Sequence, residues 1–154
     1  MSWYWWLGIA AALLVAGGIM FFHPKEPASD SGLPVVTMRI GSLSFQLEVA
    51  RRESELSRGL MFRQSMAADR GMIFVFDGEE ERGFYMKNTY IPLDILFLDA
   101  RGRVVSIHQM QPRDLATTPS LYPAQYAIEL NQGMAAKAGV KVGDELVIPE
   151  GARR

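Results

Sequence analysis

Two runs of period-two alternation, separated by Gly41-Ser42, restrict what this chain can fold into. Val36, Met38 and Ile40 alternate with Thr37 and Arg39; beyond the turn, Leu43, Phe45, Leu47 and Val49 alternate with Ser44, Gln46 and Glu48. Successive side chains of a strand point to opposite faces, so each run has one apolar and one polar side. The pair reads as a half-buried β-hairpin, and the rest of the domain must cover its apolar side.

The residues that follow supply more short strands. Arg51 to Arg58 is polar, lacks alternation and ends at Gly59, which predicts a short helix with a glycine stop. Met72 to Phe76 is an apolar run ending at the turn signal Asp77-Gly78, and Glu79 to Arg82 reads as an exposed loop. Phe84 to Met86 starts another strand, bent or ended by Asn88 to Pro92, because proline pushes Ile91 out of helical conformation. Leu93 to Asp99 and Arg103 to Met110 flank a hairpin loop with Gly102 at its end. Gln111 to Pro123 has three prolines and reads as a surface loop. Gln125 to Leu130 is strand-like, Asn131 is placed to cap a short helix running to Lys137, and Gly139 stops it. Gly143-Asp144 then turns into a last strand, Glu145 to Ile148. About eight short strands with two short helices predict a mainly β fold, a small antiparallel β-sandwich or barrel.

The N-terminus has a different character. No charged residue occurs from Trp3 to Phe22, a run of 20 residues. As a helix this run spans ~30 Å, a bilayer core. Trp3, Tyr4, Trp5 and Trp6 crowd one end and Phe21 and Phe22 the other, as a membrane interface favours. A cleaved signal peptide is the alternative: Ala16-Gly17-Gly18 offers small residues, but no Lys or Arg precedes the apolar run. One N-terminal transmembrane helix is therefore expected in residues 1–22, with the lipid bilayer as partner of residues 3–22. The proline- and serine-rich residues 23–34 read as a flexible linker that reaches ~20 Å. Residues 35–149 make one domain, large enough for a core of its own, and 150–154 a C-terminal tail. By the positive-inside bias, Lys25 leans weakly toward a cytoplasmic domain.

Charge and cysteine content narrow the function classes. From Val35 onward there are 15 Lys and Arg against 15 Asp and Glu, without the basic excess of a nucleic-acid binder. Cysteine is absent, which removes disulfides, thiol catalysis and cysteine metal sites. His108 is the one histidine of the domain and makes a poor zinc site without a second strong ligand. By alternation it shares a face with Val104 and Ser106, and no Gly-x-Ser-x-Gly turn presents a serine to it. Met38, Met61, Met66, Met72, Met86, Met110 and Met134 are spaced irregularly and read as core filling rather than a copper(I) site. No cofactor or metal is expected.

From Arg58 to Leu98 apolar runs are broken by polar residues at places a packed core does not need: Arg58, Arg63, Lys87, Asn88, Thr89 and Asp94. The blocks Arg58-Gly59-Leu60-Met61-Phe62-Arg63, Gly71-Met72-Ile73-Phe74, Met86-Lys87-Asn88-Thr89, Pro92-Leu93-Asp94 and Glu129-Leu130-Asn131 together resemble the prokaryotic family named only as domain of unknown function 192. The resemblance runs from about Val36 to Ile148. It implies a compact, mainly β fold and, since family members often carry an export or membrane segment, an extracytoplasmic domain. It carries no established activity.

Asp94 shares a strand face with Leu96 and Leu98, opposite Leu93, Ile95 and Phe97. A buried carboxylate there needs donors, and Arg58, Arg63, Lys87 and the Asn88-Thr89 turn are the nearest in sequence. Glu129 is a second carboxylate inside a strand, with an arginine such as Arg63 or Arg58 as its expected partner. Three readings stay open. A binding module takes a small polar ligand or protein partner through Arg58, Arg63, Lys87, Asn88, Thr89, Asp94 and Glu129. A hydrolase uses Asp94 and Glu129 as paired carboxylates, although all three tryptophans lie in the N-terminal run, away from any sugar. In a structural or interaction protein of the cell envelope, the same residues only lock loops.

Overall fold

The computed structural model describes residues 31–154. Eight strands occur: β1 (Val35–Ile40), β2 (Leu43–Ala50), β3 (Arg70–Glu80), β4 (Gly83–Phe84), β5 (Leu93–Leu98), β6 (Val104–Met110), β7 (Thr118–Pro119) and β8 (Ala124–Asn131). Helix α1 (Glu53–Arg58) lies between β2 and β3, and α2 (Met134–Ala138) follows β8. Six strands form one sheet in the order β1-β2-β3-β8-β5-β6, and β4 pairs with β7 as a small second sheet.

The hairpin forms as its alternation dictates, with Ile40 opposite Leu43 across Gly41-Ser42. Gly41 has φ +55, and a Cβ on it would meet the carbonyl oxygen of Ala138 at 2.1 Å. Only glycine lets this turn dock on the end of α2, where Ser42 N–H donates to that same carbonyl. Gly59 ends α1 as expected, and its N–H closes the last turn on Glu55.

The expected antiparallel sheet is corrected to a mixed one, because β2 and β3 run parallel. Parallel neighbours need a crossover, and residues 51–69 with α1 provide it over one face of the sheet. Among the described residues no pairing joins β1 to β6, so hydrogen bonds do not close the sheet into a barrel. Four local expectations also change. Asp77-Gly78 is not a turn: β3 runs on to Glu80, with an irregular register against β8 between Val75 and Glu80. The surface loop before Pro123 holds β7 and the fully buried Ser120, whose hydroxyl takes the Arg82 N–H and donates to the Tyr122 carbonyl. Glu145 to Ile148 is not a strand; a single bridge joins Glu145 to Arg103. Residues beyond Pro149 pack rather than trail, with Ala152 fully buried and Arg51 donating to the carbonyls of Gly151 and Arg153.

Both faces of the sheet are apolar. On one, Leu47, Ile73, Ile128 and Leu96 pack under Ala135, Ala138, Val140 and Leu146. On the other, Met72, Phe74, Ala127, Ile95 and Phe97 pack under Leu60, Met86 and Ile91. We call these the α2 face and the crossover face. A strand covered on both sides reads as a continuous apolar run, and every residue of β5 is buried. Met38, Met72, Met86 and Met110 lie inside these cores, filling gaps as expected of thioethers. Among the described residues no helix is long and apolar enough to cross a membrane. The transmembrane expectation falls on residues 3–22, outside the described residues.

Candidate functional site

Residues opposite one another on neighbouring strands point to the same face. Glu48 on β2 stands beside Met72 on β3, Met72 beside Glu129 on β8, Glu129 beside Ile95 on β5, and Ile95 beside His108 on β6. This row lies on the crossover face. It sets two carboxylates into an apolar surface, each 5% exposed.

The two are treated differently. Arg63 sits on the crossover and grips Glu48 with both guanidinium nitrogens, Nη1 to Oε1 and Nη2 to Oε2, each at 2.7 Å. Ser31 also donates its hydroxyl to Glu48. Burial pushes the Glu48 carboxyl up, but the hydrogen bonds from Arg63 and Ser31, together with the charges of Arg63 and Arg70, outweigh it and hold the group below 4.5. Glu129 receives no hydrogen bond from any described residue. Burial pushes it up to about 8, and the charge of Arg63 pulls only weakly the other way.

Above Glu129 a cavity of about 380 Å³ opens between α1, β3 and the β4 turn. Arg58, Gly59 and Leu60 form one wall, Phe74, Phe76 and Phe84 another, and Glu81, Arg82, Tyr85 and Thr89 complete the rim. Gly59 keeps the floor open, since a Cβ on it would stand 3.2 Å from the Phe74 ring and 3.9 Å from Glu129 Oε2. Phe74 and Phe84 meet edge to face at 4.9 Å between centroids. Arg82 lies 4.2 Å over the Phe76 ring and donates to the carbonyls of Gly78 and Ala124. Arg58 is exposed at the mouth.

The seven residues expected to act together are thus distributed over four places. Arg58, Thr89 and Glu129 line the cavity. Arg63 stands behind it, paired with Glu48 and not with Glu129. Lys87 and Asn88 line a separate shallow groove with Tyr90, Arg113 and Leu115. Asp94 points to the opposite face: it stands beside Leu130, whereas Glu129 stands beside Ile95.

Asp94 is 2% exposed, and its donor is none of those expected. Oδ2 accepts the Ala135 N–H at 2.9 Å, in the first turn of α2. Gly133 at the N-cap has no side chain to offer, so β5 supplies the cap from below. Asn131 does not cap this helix; its amide donates to the carbonyls of Met66 and Ala67 and holds the crossover down. The Asn88 to Pro92 segment is locked by backbone bonds, Phe62 N–H to Asn88 oxygen and Arg113 N–H to Thr89 oxygen.

Paired-carboxylate hydrolysis needs both groups on one side of the substrate-binding space. With the sheet between them, Asp94 and Glu129 do not provide it. A register shift between Phe97 and Leu98 also turns Val104 to the α2 face while His108 stays on the crossover face, against the expected shared face. Among the described residues no three His, Asp or Glu side chains gather as metal ligands.

Glu48 and the phenylalanine wall were missed at the level of sequence. Glu48 sits in the polar phase of an alternating hairpin, where only the crossover over that side reveals its burial.

These features define a class: a small mixed-sheet domain with a buried carboxyl, given no hydrogen bond by any described residue, at the floor of an aromatic cavity. The chain belongs to the family DUF192, described as an uncharacterized ACR, whose model matches residues 36–148. It is similar to a crystal structure of a candidate transcription regulator from Sinorhizobium meliloti 1021, with 37% identity, 73% of this chain and 91% of that chain covered, and a TM-score of 0.69. A protein of unknown function from Novosphingobium aromaticivorans DSM 12444 is similar at 35% identity, covering 80% of this chain and 95% of that one, with a TM-score of 0.71. No curated protein matches the chain.

Proposed function

We propose that this domain is a binding module for a small polar ligand seated over Glu129. The observation that carries the reading is the cavity of about 380 Å³ floored by a carboxyl that no described residue hydrogen-bonds. Buried polar groups in folded proteins are nearly always satisfied. Glu129 keeps a small exposure to the cavity and takes no partner from the described residues, so a ligand that supplies hydrogen bonds there completes its satisfaction. The volume also suits a small molecule, since ligand pockets begin at roughly 300 Å³.

The test is native mass spectrometry of the full chain purified from its own host, beside Glu129→Gln. A retained small mass on the wild type that is lost from the variant is expected. An empty wild type that no compound stabilises against heat sinks the reading.

The same reading includes the N-terminal anchor. Residues 3–22 hold the domain at a cell membrane in a single pass, a reading supported by their uncharged length and aromatic ends. Its extracytoplasmic side is what the family resemblance implies, against the weak opposite bias of Lys25. Membranes washed with alkaline carbonate should keep the chain, and protease added outside the cell membrane should cut the domain; release by carbonate would refute the anchor.

A further inference from the structure

We propose that the ligand of this cavity is a primary amine, its ammonium group received by the Glu129 carboxylate against the phenylalanine wall. The inference rests on the binding-module reading and names the chemistry of its ligand.

Three observations point the same way. Glu129 lies on the floor with no donor among the described residues, and Arg63, whose charge acts on it, has both terminal nitrogens on Glu48. The floor therefore holds a carboxyl whose ionised form has no counter-ion of its own in contact. An alkylammonium brings a positive charge and three donors in one compact group. Second, the wall beside Glu129 is aromatic, with Phe74 and Phe84 in edge-to-face contact. Ring faces attract cations, and this wall already holds one, the Arg82 guanidinium over Phe76. Third, an anion would find little to bind. Arg82 turns three of its N–H groups to the carbonyls of Gly78 and Ala124 and to Glu80, and Glu81 adds negative charge at the rim. Arg58, exposed at the mouth, offers a cation away from the floor, which suits a ligand with an anionic group at its far end, such as an amino acid.

Binding then has a proton balance. At neutral pH the free Glu129 carboxyl is mostly protonated, because burial holds it near 8. An amine that enters as ammonium and pairs with the carboxylate displaces that proton to solvent, about one per amine bound at pH 7. Other charged groups face Glu129. Glu48 on β2 and Arg63 lie to one side, Arg58 comes from α1, and Arg82 and Glu81 from the end of β3. Tyr85 stands on the rim and His108 lies along the row beyond Ile95. Glu129→Gln leaves all of these in place, so a pH slope that vanishes with it belongs to Glu129.

The experiment is calorimetry on the full chain with butylamine, L-lysine and butyrate, in buffers of different ionisation enthalpy. Affinity for an amine is expected to rise about tenfold per pH unit from pH 6 toward 8, with proton release, and to fall above about pH 10 as the amine loses its charge. L-lysine binding more tightly than butylamine assigns an amino acid; equal or weaker binding assigns a simple amine. Glu129→Gln should lose at least tenfold in affinity and the pH slope together, and Phe84→Leu should weaken binding with its slope intact. Butyrate binding in preference, or amine binding without proton release, overturns the proposal, and the proton count needs no variant to fold. If a host ligand is retained in native mass spectrometry but no amine binds, the amine assignment fails and the binding module stands. If neither occurs, both fail.

Discussion

A carboxyl that keeps its proton in the folded chain after the unfolded chain has released it makes stability depend on pH with a definite sign. Glu129 titrates near 8 when folded against an ordinary value of 4.5. Its stabilising contribution is complete below 4.5 and is lost as pH rises toward 8, by up to about 1.4 kcal/mol per unit. Glu48 has the opposite sign: held below 4.5, it contributes above that value and loses its contribution as pH falls through its folded value. Melting temperature should therefore decline between about pH 5 and about pH 8, and Glu129→Gln should flatten the decline. A variant that keeps the wild-type slope would remove Glu129 as its source. The sequence pointed at Glu129, since a carboxylate inside an apolar run is conspicuous. It did not point at Glu48, whose neighbours Ser44 and Gln46 make it look like one more solvent-facing residue.

At the scale of elements, α2 owes its first turn to a side chain on another element. Helix N-termini leave donors without partners, and here Asp94 takes one of them from β5. Asp94→Ala should cost about 1–3 kcal/mol in denaturant unfolding, the price of an uncapped, buried N–H. Ligand affinity at the cavity should not change, since the sheet lies between. A loss of binding in a variant with normal stability would place Asp94 in the site after all. Alternation assigned the two faces of β5 correctly before any contact was known. It could not name the donor, because Ala135 of α2 returns from 41 residues further along. The parallel pairing of β2 with β3 was equally hidden: a hairpin leaves a turn signal, whereas a crossover leaves none. The bulge that carries Val104 and His108 to different faces likewise has no glycine or proline to announce it.

Over the whole molecule, protection from exchange should follow strand order rather than chain order. β3, β8 and β5 have a paired strand on each side and a core on both faces. Their amides should exchange only on global unfolding, while the two-residue pairing of β4 with β7 opens locally, which hydrogen-exchange mass spectrometry resolves. Uniform protection across β4 and β3 would show that the cavity rim is as rigid as its floor. The strand inventory was largely legible, because short alternating and apolar runs mark strands directly. The order of strands in the sheet was not, because it is fixed by which apolar faces meet late in the chain.

That order has a consequence for how the protein is made. The strand that joins the two halves of the sheet, β8, is the last to leave the ribosome. Until residues 124–131 emerge, β3 and β5 wait with open edges, and the Glu129 floor does not yet exist. The nascent chain carries β1, β2 and β3 for one flank and the β5-β6 hairpin for the other, with the strand between them still missing. The two flanks can join into one sheet only when that late strand arrives.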